Sequence, residues 1–159
     1  MLLYNSIILP HLSYCNIVWG NSYLSHLNKI KLLQKKAIRI ITNSEYNCPS
    51  NPLFINMKVL PIHQLITLNT LIFMYNFHIG HLPQIFKSLF VINSSVHSHN
   101  TRQRILLHKP PVRTTHALNS FKNVGISKWN NLSPDIRSST TLTRFKKLCK
   151  TELFVTLDN

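Results

Sequence analysis

The sequence predicts a mainly α-helical fold, a helical bundle with a basic loop and a C-terminal helix. Three observations predict it. Two segments, about 26–42 and about 141–154, carry apolar residues at helical spacing with basic residues opposite. Between them, Ile62 to about Phe77 is apolar nearly all round, as a buried helix should be. Glycine is scarce, three in 159 residues, which counts against tight all-β architectures and Gly-rich phosphate cradles.

Each element has its own signal. Residues 1–19 read as a short apolar helix broken near Pro10, before a turn at Gly20-Asn21-Ser22. Ser25 is the expected cap of the helix 26–42. On that helix Leu27, Ile30, Leu33, Ala37, Ile38, Ile40 and Ile41 fall on one half. Lys29, Lys31, Lys35, Lys36 and Arg39 fall on the other, and Leu32 is the apolar exception. No acid neutralises the basic half, whereas an ordinary solvated face mixes signs.

Residues 43–60 read as a connection punctuated by Pro and Asn, and Pro61 suits a helix start. The helix from Ile62 to about Phe77 ends at Gly80, and Leu82-Pro83 opens a short helix through Phe90. Residues 93–115 are polar and basic and read as loop or edge strand. Residues 117–130 hold a short helix leading to Trp129, and Ser133-Pro134-Asp135 is a turn. The run Ser138–Thr141 offers caps for the last helix, about 141–154. There Leu142, Phe145, Leu148, Cys149 and Leu153 oppose Arg144, Lys146, Lys147 and Lys150. The bundle is expected to centre on Ile62–Phe77, packed against the apolar faces of the other two long helices.

Charge carries the functional information. Eighteen Lys and Arg stand against four acids, a formal net charge of +14 with neutral histidine. Such a surface attracts polyanions, nucleic acid first and anionic membrane second. The acids are Glu45, Asp135, Glu152 and Asp158. Four scattered carboxylates do not supply the converging set that two-metal phosphoryl transfer needs. Cys15, Cys48 and Cys149 are widely spaced and form no CxxC pair, so neither a zinc ribbon nor a disulfide framework is expected. They read as reduced thiols of an intracellular protein, nuclear or cytoplasmic, with Cys15 a buried, inert thiol.

Uncharged stretches at 1–28 and 59–86 are interrupted by polar residues and are not read as membrane spans. The basic amphipathic helices suit a membrane surface poorly, because helix 26–42 has no Trp or Phe on its apolar face. His97-Ser-His99-Asn100 superficially suggests a nuclease pair. No acid lies between Glu45 and Asp135 to complete a metal site, so polar loop histidines are the expectation. No GxSxG elbow, Walker loop or dinucleotide fingerprint occurs. No catalytic residue, metal ligand or cofactor is therefore assigned. Binding remains. Residues 100–150 hold 11 of the 18 basic side chains. Arg102, Arg104, Lys109 and Arg113 lie on a Pro-stiffened segment suited to phosphates, and Tyr14, Trp19 and Trp129 are candidate stacking residues with core packing the commoner role.

The chain also resembles a known family. Leu3-Tyr-Asn-Ser-Ile-Ile-Leu-Pro-His-Leu-Ser-Tyr-Cys-Asn-Ile-Val-Trp-Gly20 is similar to the segment downstream of the palm in non-LTR (LINE-type, jockey-like) retrotransposon reverse transcriptases. Leu33-Gln-Lys-Lys-Ala-Ile-Arg-Ile-Ile41 resembles the basic helix that follows. Asn51-Pro-Leu-Phe54, Phe73-Met-Tyr75, His99-Asn-Thr-Arg102, Gly125…Trp129-Asn-Asn-Leu132 and Phe145-Lys-Lys147 continue the likeness in order, from near residue 2 to near residue 153. Ile126 and Ser133 stand where the family often has proline, and the zinc knuckle of some relatives has no counterpart here.

The resemblance implies a non-catalytic piece of an RNA-directed DNA polymerase. Residues 1–92 would form a thumb-like helical domain, and residues 93–159 a basic extension with a terminal amphipathic helix. The palm motif Tyr/Phe-x-Asp-Asp is absent, since the chain contains no Asp-Asp. The magnesium of the parent enzyme would belong to that palm. Implied partners are an RNA–DNA hybrid or duplex backbone and the polymerase's palm and fingers. The expected contacts are Lys29, Lys31, Lys35, Lys36 and Arg39 first, then Arg102, Arg104, Lys146, Lys147 and Lys150. A free-standing basic nucleic-acid-binding protein, or a retrotransposon remnant without selected function, is the alternative.

Overall fold

The computed structural model describes residues 2–96, 98–99 and 101–158. It is mainly helical, as expected, and the described residues form no strand beyond one isolated bridge, Ile92 to Leu107. The elements are α1 (Leu9–Ser13), α2 (Asn16–Trp19), α3 (Leu24–Ile41), α4 (Ser50–Asn56), α5 (Ile62–His78), α6 (Asn93–Val96), α7 (Thr115–Leu118), α8 (Phe121–Asn131), α9 (Pro134–Arg137) and α10 (Leu142–Asp158). Two compact units result, one of residues 1–69 with 147–159, the other of residues 70–146. The chain crosses between them inside α5 and inside α10. These cuts differ from the expected division at 92/93.

In the first unit, the N-terminal helix is not broken at Pro10. A π-helical turn, Tyr4–Ile8, precedes α1, and Leu9 N–H bonds Tyr4 O, five residues back. Widening the helix there accommodates a residue with no N–H to give. The break comes later, where Tyr14 is extended and Cys15 adopts φ 47°. Gly20 closes α2 against α5. A Cβ there would meet Asn16 O and approach Ile66 Cγ2 to 2.7 Å. Helix α3 starts at Leu24 with Tyr23 as its cap, so Ser25 is not the capping residue.

The expected connection 43–60 contains a helix, α4. Pro52 is tolerated because it sits in the first turn, where no backbone N–H is needed. Lys58 at φ 54° then turns the chain, and Val59 N–H closes on Phe54 O at 2.9 Å. The core gathers Tyr4, Ile38, Phe54 and Val59, with Ile8, Leu9, Ile41, Leu53 and Met57 packed against them.

One polar side chain organises this core. Gln34 is 2% exposed. Its Nε2 donates to Tyr4 Oη at 2.7 Å and to Leu60 O at 3.0 Å, and its Oε1 accepts from Ile62 N–H at 2.8 Å. Burial raises the Tyr4 hydroxyl above its ordinary pKa, and the Gln34 bond partly offsets this. The amide thus ties α3 to the tyrosine of the first helical turn and to the start of α5.

In the second unit, the rest of α5 is the buried centre. Tyr75 stacks on Phe145 with centroids 4.4 Å apart, and its hydroxyl donates to Ser139 O at 2.9 Å. Phe73 meets Phe86 and Phe121 edge-on, at 5.5 and 4.9 Å. Gly125 lets α8 approach α5, since a Cβ there would lie 3.0 Å from Met74 Sδ. Gly80, at φ 75°, ends α5, with His81 N–H returning to Asn76 O. The helix expected through Phe90 is one short 3₁₀ turn, Gln84–Phe86. The expected turn at Ser133–Asp135 is the start of α9.

Candidate nucleic-acid interface

Helix α3 presents the first group of candidate cations. Its buried stripe runs Leu27, Gln34, Ile38, so it is turned by about 60° from the face that apolar spacing predicts. Leu33 and Ile40, expected inside, are 66% and 78% exposed. The basic half does not face solvent uniformly as a result. Lys29 and Lys36 are exposed, whereas Lys31 and Lys35 are half-buried.

Arg39 is held within the fold. Its Nε and Nη2 donate to Cys48 O at 3.1 and 2.9 Å. That fork secures the turn after α3, where Ser44 N–H also returns to Arg39 O. Arg39 is a structural arginine first, which leaves Lys29 and Lys36 the most available cations of this helix.

The second group lies on the loop between α6 and α7. Asn93 N–H bonds Leu106 O, Ser94 N–H bonds Arg104 O, and His108 N–H bonds Val91 O. Asn130 of α8 fixes the return arm. Its Nδ2 donates to Leu107 O at 2.8 Å and its Oδ1 accepts from Leu107 N–H at 3.1 Å. One side-chain amide thereby does what a neighbouring strand would do. Arg102, Arg104, Lys109 and Arg113 are all exposed along the loop. His97 and Asn100 of the nuclease-like pair lie outside the described residues, as does Asn100 of the family-like run.

On α10 the faces separate as expected. Phe145 and Cys149 are fully buried, while Arg144, Lys147 and Lys150 are exposed and Lys146 is half-buried. Burial, with Glu152 adding a smaller effect, pushes the Cys149 thiol up to about 12. All three cysteines are free, but Cys15 is exposed rather than buried, because the left-handed turn lifts it out of the apolar run.

The aromatic candidates divide. Trp129 is 4% exposed and lies 5.4 Å from His78, so it is a core residue. Trp19 is half-buried, and its Nε1 donates to Tyr14 O at 2.8 Å. Tyr14 itself is 77% exposed, the one of the three free to stack. Among the described residues, no three or more His, Cys, Asp or Glu come together as metal ligands. No described helix is long and apolar enough to cross a membrane.

No family model, curated protein or solved structure matches this chain. Two side chains that matter were not singled out from the sequence. Gln34 sets the rotation of α3, and Arg137 lines a cleft of the second unit. Neither has a sequence signal, since a glutamine in a basic run and an arginine after a turn both read as solvated.

Proposed function

We propose that this chain is a non-catalytic nucleic-acid-binding piece of a LINE-type reverse transcriptase, the thumb and the region after it, which grips the backbone of a template–primer duplex. The observation that carries the reading is the charge: +14 overall, with exposed cations on α3, the basic loop and α10. Helical layers with basic faces hold phosphates without choosing a sequence. The exposed apolar residues Leu2, Leu3, Ile7 and Val18 support a second part of the reading, in which a palm domain covers the N-terminal helices.

The test is fluorescence-anisotropy titration of an RNA–DNA hybrid over a salt series. Log affinity should fall linearly with log salt, and the Lys29→Ala/Lys36→Ala double variant should reduce the slope by about 1–2. The loss should be similar for all duplex sequences. Unchanged affinity in the double variant would remove α3 from the interface, and salt-independent binding would sink the reading.

A further inference from the structure

The second unit contains a cleft of about 500 Å³ that the nucleic-acid reading does not use. That volume lies within the range of small-molecule sites. Phe77, Ile92, Ile105, Leu107 and Trp129 form its apolar walls. Among the described residues, its polar lining is His78, Ser138 and Arg137.

Arg137 is the informative member. It ends the four-residue α9, and its Nε is shielded from solvent without a hydrogen-bond partner. The unit's single acid, Asp135, is not paired with it. A buried guanidinium N–H with no acceptor is unusual, because such groups are almost always paired. The cleft therefore combines apolar walls with one guanidinium among its lining side chains, and among the described residues that guanidinium carries no carboxylate partner.

We propose that this cleft binds a small amphipathic organic anion, with the apolar body against Trp129 and Leu107 and the anionic head on Arg137. The walls favour such a ligand over a nucleotide. A nucleobase carries several donors and acceptors on its edge, and beyond Arg137 the described lining offers the Ser138 hydroxyl and the His78 ring to meet them. An alkyl or aryl body leaves nothing unpaired. This site is independent of the proposed grip on nucleic acid, since none of the cations assigned to that grip lines the cleft.

The probe is 8-anilinonaphthalene-1-sulfonate, an aryl body with one fixed negative charge, followed by its fluorescence on the full chain. It should saturate at a single site and be displaced by decanoate but not by dAMP. Arg137→Gln should weaken it about tenfold while Arg137→Lys retains most of the affinity, because the head group needs the charge. Ile105→Glu, at a position 80% exposed on the cleft wall, should weaken it similarly by placing a competing carboxylate there. Circular dichroism of each variant establishes that it is folded, and Ile105→Glu serves if Arg137→Gln does not fold. Equal binding by the wild type and whichever of these variants folds would overturn the proposal. Displacement by dAMP and not by decanoate would overturn the ligand class.

Discussion

A single amide, that of Gln34, decides how the first unit packs. It satisfies a buried hydroxyl, a backbone carbonyl and a backbone N–H at once. Gln34→Leu keeps the volume but strands all three partners. Each stranded buried group costs about 1–3 kcal/mol, so with three of them the variant should lose at least about 3 kcal/mol in urea unfolding. Cys149 gives a second prediction. Its thiol is raised from an ordinary 9.0 to about 12 by burial first and Glu152 second. A thiol raised in the native state stays protonated there while the unfolded chain ionises. The stability this contributes is complete below pH 9 and is lost as pH rises toward 12. Cys149→Ala should therefore flatten the alkaline decline of the melting temperature. At pH 8 a thiol reagent should label exposed Cys15 rapidly and leave Cys149 untouched until the chain unfolds.

Among the elements, α3 shows what a sequence reveals and what it conceals. Its existence and its near-solid run of cations were legible, because periodicity and composition report local preference. Its rotation was not, because a buried polar residue inverts the rule that apolar residues mark the inner face. Apolar spacing puts Leu33 and Ile40 inside, because Gln34's three partners lie 26 to 30 residues away and leave no local signal. Helix α4 was missed for a different reason. Pro and Asn read as punctuation, yet in a first turn Pro52 is compatible with helix. Helices α5 and α10 were legible because burial all round, or on one clean face, leaves no ambiguity. Of the site, the cations were legible by type, but Arg39's engagement with Cys48 O was not. Arg39→Ala should accordingly act on stability, lowering it by about 1–2 kcal/mol, with little change in the salt slope of hybrid binding. Urea unfolding and the anisotropy series distinguish the two effects.

For the whole molecule, charge dominates. Eighteen cations against four acids repel one another in the folded state, and salt screens that repulsion. The melting temperature should rise by several degrees between about 20 and 200 mM salt, and rise further when a polyanion is added, since a ligand that prefers the folded state stabilises it. Differential scanning fluorimetry checks both. A melting temperature that falls with salt would mean that attractive pairs, not repulsion, govern this surface.

The division of the chain has a consequence for its synthesis. Residues 1–69 leave the ribosome before residues 70–146, but their unit is completed by residues 147–159, which follow both. The second unit, residues 70–146, is contiguous and has no such wait. The first unit is thus begun early and finished only after the second has been translated. During that interval its apolar side chains lack the buried Cys149 and the apolar face around it, while its lysines are already free to meet the negatively charged RNA that surrounds a nascent chain.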